Sequence, residues 1–226
     1  MRKALLGMAA LCLLLSVTGC QPGSAEQAGM TVAVGIVPEA AFVEKVAGDL
    51  ANIVTLVPPG NSPANYQPTT AEMQALSDAS IYFTLQMPTE EANILPKVSD
   101  FNKDIRIVNL RDAVSEAYPM RHMAAHSHDE EDEGHEEDER EHEGEETVDP
   151  HLWLSPKRAI VMVQSIADEL SAIDADNRDA YQKNAADYIA KLKQLDGEIR
   201  EAVSALDNKS FLIYHPAYGY FADDYG

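Results

Sequence analysis

Apolar and polar positions along the chain change period several times, and each change predicts an element. Thr31–Val37 is a nearly unbroken β-branched run stopping at Pro38, the pattern of a strand buried on both faces. Residues 39–50 switch to a helical period, with Phe42, Val43, Val46 and Leu50 on one side. A second strand is predicted at Ile53–Val57, closed by Pro58-Pro59-Gly60, and Thr70 is predicted to cap a short helix ending at Asp78. Ser80–Leu85 and Ile105–Leu110 read as a third and a fourth strand. Strands alternating with helices predict a parallel α/β sheet, whose ligands bind beyond the carboxyl ends of the strands.

Further along, Ser155-Pro156 reads as the N-cap and first residue of a helix carrying Ile160, Val163, Ala167 and Leu170. A longer helix is predicted over 176–206, where an apolar stripe from Tyr181 through Tyr188, Leu192 and Leu195 to Leu206 recurs every three or four residues. At ~1.5 Å per residue it spans roughly 45 Å, enough to run the length of a two-lobed molecule. A coiled coil is the other use of such a stripe; the flanking α/β units favour an intramolecular backbone. Ser210–Tyr214 is predicted as a fifth strand that opens a second lobe. Because the sequence stops at Gly226 in what reads as the first turns of a helix, that lobe is expected to be incomplete and the chain truncated. The expected fold class is therefore α/β: two lobes of parallel sheet flanked by helices, joined by one long backbone helix.

The first residues follow a different logic. Arg2 and Lys3 precede twelve largely apolar residues, Ala4–Leu15, too few to span a hydrocarbon core of roughly 30 Å and right for a signal peptide over 1–19. Val17-Thr18-Gly19-Cys20 resembles the bacterial lipobox, so Cys20 is expected to be acylated and to lead the mature chain, with 20–30 as a flexible tether. No internal disulfide could then form. The expected location is the outer face of a bacterial cytoplasmic membrane, or the periplasm.

Charge narrows the function. The formal net charge is −21, and fourteen of the acids fall within 129–149, which excludes the basic face a nucleic-acid binder needs. Residues 121–148 read as a solvated, disordered insertion in which His122, His126, His128, His135 and His142 stand among carboxylates. Such a tract makes weak, exchangeable metal sites, whereas a solubilising spacer needs no histidine.

Outside that tract two histidines remain: His151, in Asp149-Pro150-His151-Leu152-Trp153-Leu154-Ser155-Pro156, and His215, in His215-Pro216-Ala217-Tyr218-Gly219-Tyr220-Phe221. One precedes a helix and the other follows a predicted strand, both ligand-site addresses, and neutral imidazole is a common zinc ligand. With Pro58-Pro59-Gly60-Asn61-Ser62-Pro63, these strings make the chain resemble the metal-binding solute-binding lipoproteins of bacterial ABC importers, the family serving zinc and manganese. The resemblance implies an N-terminal lobe over 31–120 completed by 149–175, a linking helix at 176–206, and a second lobe beginning at 207–226. It also implies one ion in the cleft, delivery to a permease with its ATPase, and an acidic histidine-rich loop marking the zinc branch. Zn2+ is the expected cargo, Mn2+ the alternative, and a lipid-anchored monomer is expected.

Two departures from the family pattern matter. Ala64 stands where the pattern has a ligating histidine, and the fourth ligand, a carboxylate of the second lobe, would lie beyond Gly226. Asn65, Tyr66, a water or a loop histidine could fill the first gap. A zinc hydrolase is the enzymatic competitor, but no His-Glu-x-x-His helix or Gly-x-Ser-x-Gly turn appears. A metal-buffering or adhesive surface lipoprotein is the third reading. The importer reading requires His151 and His215, far apart in sequence, to meet around one ion.

Overall fold

The structure, a computed structural model, describes residues 29–123 and 147–226. Four parallel strands form its sheet: β1 (Met30–Val34), β2 (Ala51–Thr55), β3 (Ile81–Thr84) and β4 (Arg106–Asn109), in the order β2-β1-β3-β4. Val32, Ala33 and Val34 are wholly buried, as the unbroken apolar run requires. The order reverses direction at β1, so the carboxyl edge beside β1 and β3 is where loops diverge and leave a crevice.

The helices cover both faces. On one side α1 (Val37–Ala47) packs with two helices from the second half of the chain, α5 (Pro156–Ile173) and α6 (Arg178–Ser204). On the other, α2 (Thr70–Ser77) and the short α3 (Val98–Phe101) close a smaller core around Leu56, Leu76, Tyr82 and Ile94. Helix α4 (Leu110–Ala117) follows β4, a two-stranded antiparallel ribbon joins β5 (His122–Met123) to β6 (Thr147–Val148), and α7 (Gly219–Tyr225) comes last.

Several expectations need correction. The N-cap of α2 is Thr69, whose hydroxyl accepts from the Glu72 N–H at 3.3 Å while the Glu72 carboxylate accepts from the Thr69 N–H at 2.7 Å; Thr70 is the first helical residue. Ser155 occupies the N-cap position of α5, but its hydroxyl donates to Asp224 at 2.6 Å instead of capping. Ser210–Tyr214 is not a strand. No ladder partner runs beside it among the described residues, and Leu212 and Tyr214 are fully exposed. The stripe on α6 is buried at Tyr181, Ala185 and Leu192, with Ile189 joining it, whereas Leu195 and Leu206 are exposed because α1 and α5 cover only the helix's first half. At 27 residues α6 is about 40 Å long.

Among the described residues no helix is long and apolar enough to cross a membrane. The expected signal segment, Cys20, and His126, His128, His135 and His142 lie outside the described residues.

Candidate metal centre

A cavity of about 580 Å³ opens at the carboxyl edge of the sheet, and Ala64, Glu91, Arg111, His151 and His215 all line it. Into it the fold brings together the two histidines that the sequence singled out. His151 Nε2 and His215 Nε2 stand 3.0 Å apart although 64 residues separate them. Two imidazole nitrogens each about 2.0–2.1 Å from a common zinc ion would be only slightly farther apart, so the pair is set to grip one ion from one side.

His151 is the more rigid of the two. Its Nδ1 lies 2.7 Å from Asp149 Oδ1, and its backbone N–H donates to the same oxygen at 3.0 Å. Asp149 is wholly buried and His151 nearly so. A carboxylate on Nδ1 holds the proton there and leaves the Nε2 lone pair facing the cavity. The turn Leu152–Leu154 that comes next is anchored by the fully buried Leu152, and the Trp153 ring stands 5.3 Å from the His151 ring. Asp149 Oδ2 accepts no hydrogen bond among the described residues; the nearest cation, Arg121 Nε, is 3.9 Å away.

His215 is exposed and owes its position to the helix on its C-terminal side. The Ala217 N–H donates to the His215 carbonyl at 2.7 Å, and α7 then clamps onto the body of the fold. The Tyr220 hydroxyl donates to the Asp149 carbonyl at 2.8 Å, Arg121 pairs with Asp223 at 2.9 Å, and Arg158 Nε reaches Asp224 at 3.1 Å. A Cβ on Gly219 would stand 2.9 Å from Asp149 Oδ2 and collide with the Arg121 side chain, so a larger residue here requires Arg121 to move. His215 therefore meets His151 without any strand at 210–214.

The other expected residues fall elsewhere. Tyr66 donates its hydroxyl to Glu72 at 2.8 Å, a bond that with burial pushes the phenol's pKa up and keeps it protonated. Asn65 is exposed, and the stretch of that turn lining the cavity is Ser62, Pro63 and Ala64. His122 is exposed on β5, opposite Val148, while its neighbour Met123 and residues 147–148 line the cavity wall. The histidine-rich tract thus springs from the rim of the site. Among the described residues no three His, Cys, Asp or Glu side chains converge closely enough to hold a metal.

Sequence reasoning did not single out Glu91, Arg111 or Gln86. The Arg111 guanidinium bonds the Gln86 amide oxygen and faces Glu91 at 3.5 Å. Gln86 has φ +53°, a left-handed backbone rare outside glycine and found at sites where a loop must turn sharply. No periodicity marks these residues, since all three sit at ends of elements.

Comparison with known proteins shows what the chain as a whole resembles. A profile of the family described as ZnuA, zinc-uptake complex component A, periplasmic, matches residues 32–226. The zinc-binding lipoprotein AdcA of Streptococcus pneumoniae is 35% identical over 230 residues, covering all of this chain and 43% of its own length. The manganese-binding lipoprotein MntA of Halalkalibacterium halodurans is 25% identical over 232 residues, covering all of this chain and 69% of its own. Among solved structures, ZnuA matches with a TM-score of 0.71 at 32% identity, over 87% of this chain and 69% of that one. Zn(II)-bound AdcA from Streptococcus pneumoniae matches with a TM-score of 0.67 at 30% identity, over 88% of this chain and 38% of that one. The chain spans less than half the length of the AdcA relatives it matches.

Proposed function

The chain belongs to the ZnuA family, and from that premise we propose that it captures a divalent metal, zinc first, outside the cytoplasm and delivers it to the permease and ATPase of an ABC importer. The observation that carries this reading is the convergence of His151 and His215 at 3.0 Å in an open cavity. Two imidazoles with positions left open suit cargo that must be released, where a closed four-ligand site would retain it. The role is binding without catalysis. Cys20 is the proposed lipid anchor after removal of 1–19, the long helix the proposed link to a second lobe beginning near 207, and the tract at 121–148 the proposed collector of zinc at the cavity rim. Manganese is the second reading, favoured by MntA among the relatives and by the loss of an imidazole at Ala64.

Titrating the metal-free chain with Zn2+ against a chromogenic chelator tests the proposal. One ion per chain, bound in competition with the chelator and lost in His151→Ala, is expected; no competition, or binding indifferent to His151, overturns it. Asp149→Ala is expected to weaken zinc binding about 10–100-fold in the same assay, because an imidazole without its partner loses both orientation and basicity. Binding within about twofold of the parent would remove the orienting role.

A further inference from the structure

We propose that the Glu91 carboxylate supplies the third protein ligand to the ion held by His151 and His215. This deepens the metal-binding reading and rests on it. With Ala64 in place of an imidazole, the site lacks a donor on the side of the cavity formed by the turn after β2. Glu91 is the one carboxylate among the described residues that line the cavity, and its segment is fastened to that turn. The Thr89 N–H donates to the Pro63 carbonyl at 3.1 Å. The Thr89 hydroxyl and the Asn93 amide both donate to the Tyr66 carbonyl, at 2.7 and 3.1 Å. These bonds tie Thr89 and Asn93, on either side of Glu91, to Pro63 and Tyr66, on either side of Ala64, and both Ala64 and Glu91 line the cavity.

The side chain is free to move. It is 55% exposed, and its contact with Arg111 at 3.5 Å is longer than the ~2.7–2.9 Å of a strong charge-assisted bond. Arg111 keeps the Gln86 amide oxygen as a partner when Glu91 leaves. In the arrangement described, Glu91 rests on Arg111 and does not yet converge with the two histidines, so its carboxylate must leave Arg111 to reach the ion. A dication held by two imidazoles attracts a carboxylate more strongly than a single guanidinium does. Two imidazoles and one carboxylate form an established zinc donor set with the fourth position open to water. A carboxylate in place of an imidazole also moves the site's preference towards manganese.

The test uses the full metal-free chain with Zn2+ alone, competed against a chromogenic chelator. Glu91→Gln is expected to weaken binding by at least ~10-fold while far-UV dichroism and the urea midpoint stay at the parent's values, since the side chain is largely solvated. Adding Ala64→His to Glu91→Gln is expected to restore affinity to within about threefold of the parent, a rescue that a structural role for Glu91 would not give. If Glu91→Gln binds within about twofold of the parent while His151→Ala does not bind, the third donor is not Glu91 and the metal-binding reading stands. If the parent itself takes up no zinc, both fail.

Discussion

Asp224→Ala is expected to destabilise the chain by about 3–5 kcal/mol and to abolish most of its metal binding at once, because one carboxylate serves both the fold and the site. Arg158 is 2% exposed, and besides Asp224 at 3.1 Å it has the Pro119 carbonyl at 2.9 Å and the Tyr220 ring at 4.2 Å. Removing Asp224 leaves a buried guanidinium short of its counter-charge, a heavier penalty than the lost pair itself. The same carboxylate accepts the Ser155 hydroxyl at 2.6 Å, so α7 loses its side-chain holds on the start of α5 and keeps there only the main-chain bond from Lys157 Nζ to the residue 224 carbonyl at 2.8 Å. His215 is carried on the segment that α7 anchors. Urea unfolding followed by fluorescence, paired with the zinc competition assay, reads both effects. Arg158→Met together with Asp224→Leu is expected to recover most of the stability, since an apolar pair of similar volume leaves nothing buried and unpaired. A loss under about 0.5 kcal/mol for Asp224→Ala would mean that water already solvates the pair.

How far the sequence carried the fold depends on whether burial was two-sided. β1 and β3 were legible because both faces are covered, so the apolar run is continuous and no register choice arises. Helix α4 went unseen: it has eight residues and buries Leu110 and Val114, too few positions to establish a period. Ser210–Tyr214 misled for the opposite reason. Its β-branched and aromatic residues meet every local criterion for a strand, but a strand exists only with a ladder partner, and local pattern cannot report one. The far half of the α6 stripe carries the same lesson, since amphipathicity shows which face wants cover and not whether cover arrives.

The site divides in the same way. His151 and His215 were legible because imidazole is scarce outside the acidic tract and each stands beside strong secondary structure. Their meeting at 3.0 Å depends on a clamp of Arg121, Tyr220, Asp223 and Asp224 that no spacing encodes. Glu91 follows Glu90 and is chemically identical to it, yet one carboxyl is buried and the other lines an open cavity. The helical turn over Glu90–Ile94 points these successive side chains in different directions, one inward and one towards the cavity.

That buried neighbour leads to the second large effect: stability is expected to fall as pH rises, through the pair Glu39 and Glu90. Both carboxyls are wholly buried and flank Gly35, where a Cβ would collide with Glu90, so the glycine is what admits the pair. Glu90 accepts the Tyr82 hydroxyl at 2.5 Å and the Met87 N–H at 2.8 Å, with the Thr84 hydroxyl adding support from β3. Glu39 accepts the Ile36 N–H at 2.9 Å through one oxygen, while the other is unpartnered among the described residues. Burial raises the pKa of both carboxyls, and the charge of Glu90 pushes Glu39 further, well above the ordinary carboxyl value. An unfolded glutamate loses its proton near pH ~4.3, whereas the folded pair holds one to higher pH. Between those limits the fold binds more protons than the unfolded chain. The pair's contribution to stability is therefore full below about pH 4 and declines by up to ~1.4 kcal/mol per pH unit for each proton retained. Glu39→Gln is expected to flatten that decline and to raise stability at pH 8, because the amide carries no charge to oppose that of Glu90 while its oxygen still accepts from Ile36. Urea midpoints of parent and variant between pH 4 and 9 decide the matter: curves that diverge with rising pH establish that the fold retains a proton on the pair, and parallel curves mean that both carboxyls are already ionised in the fold.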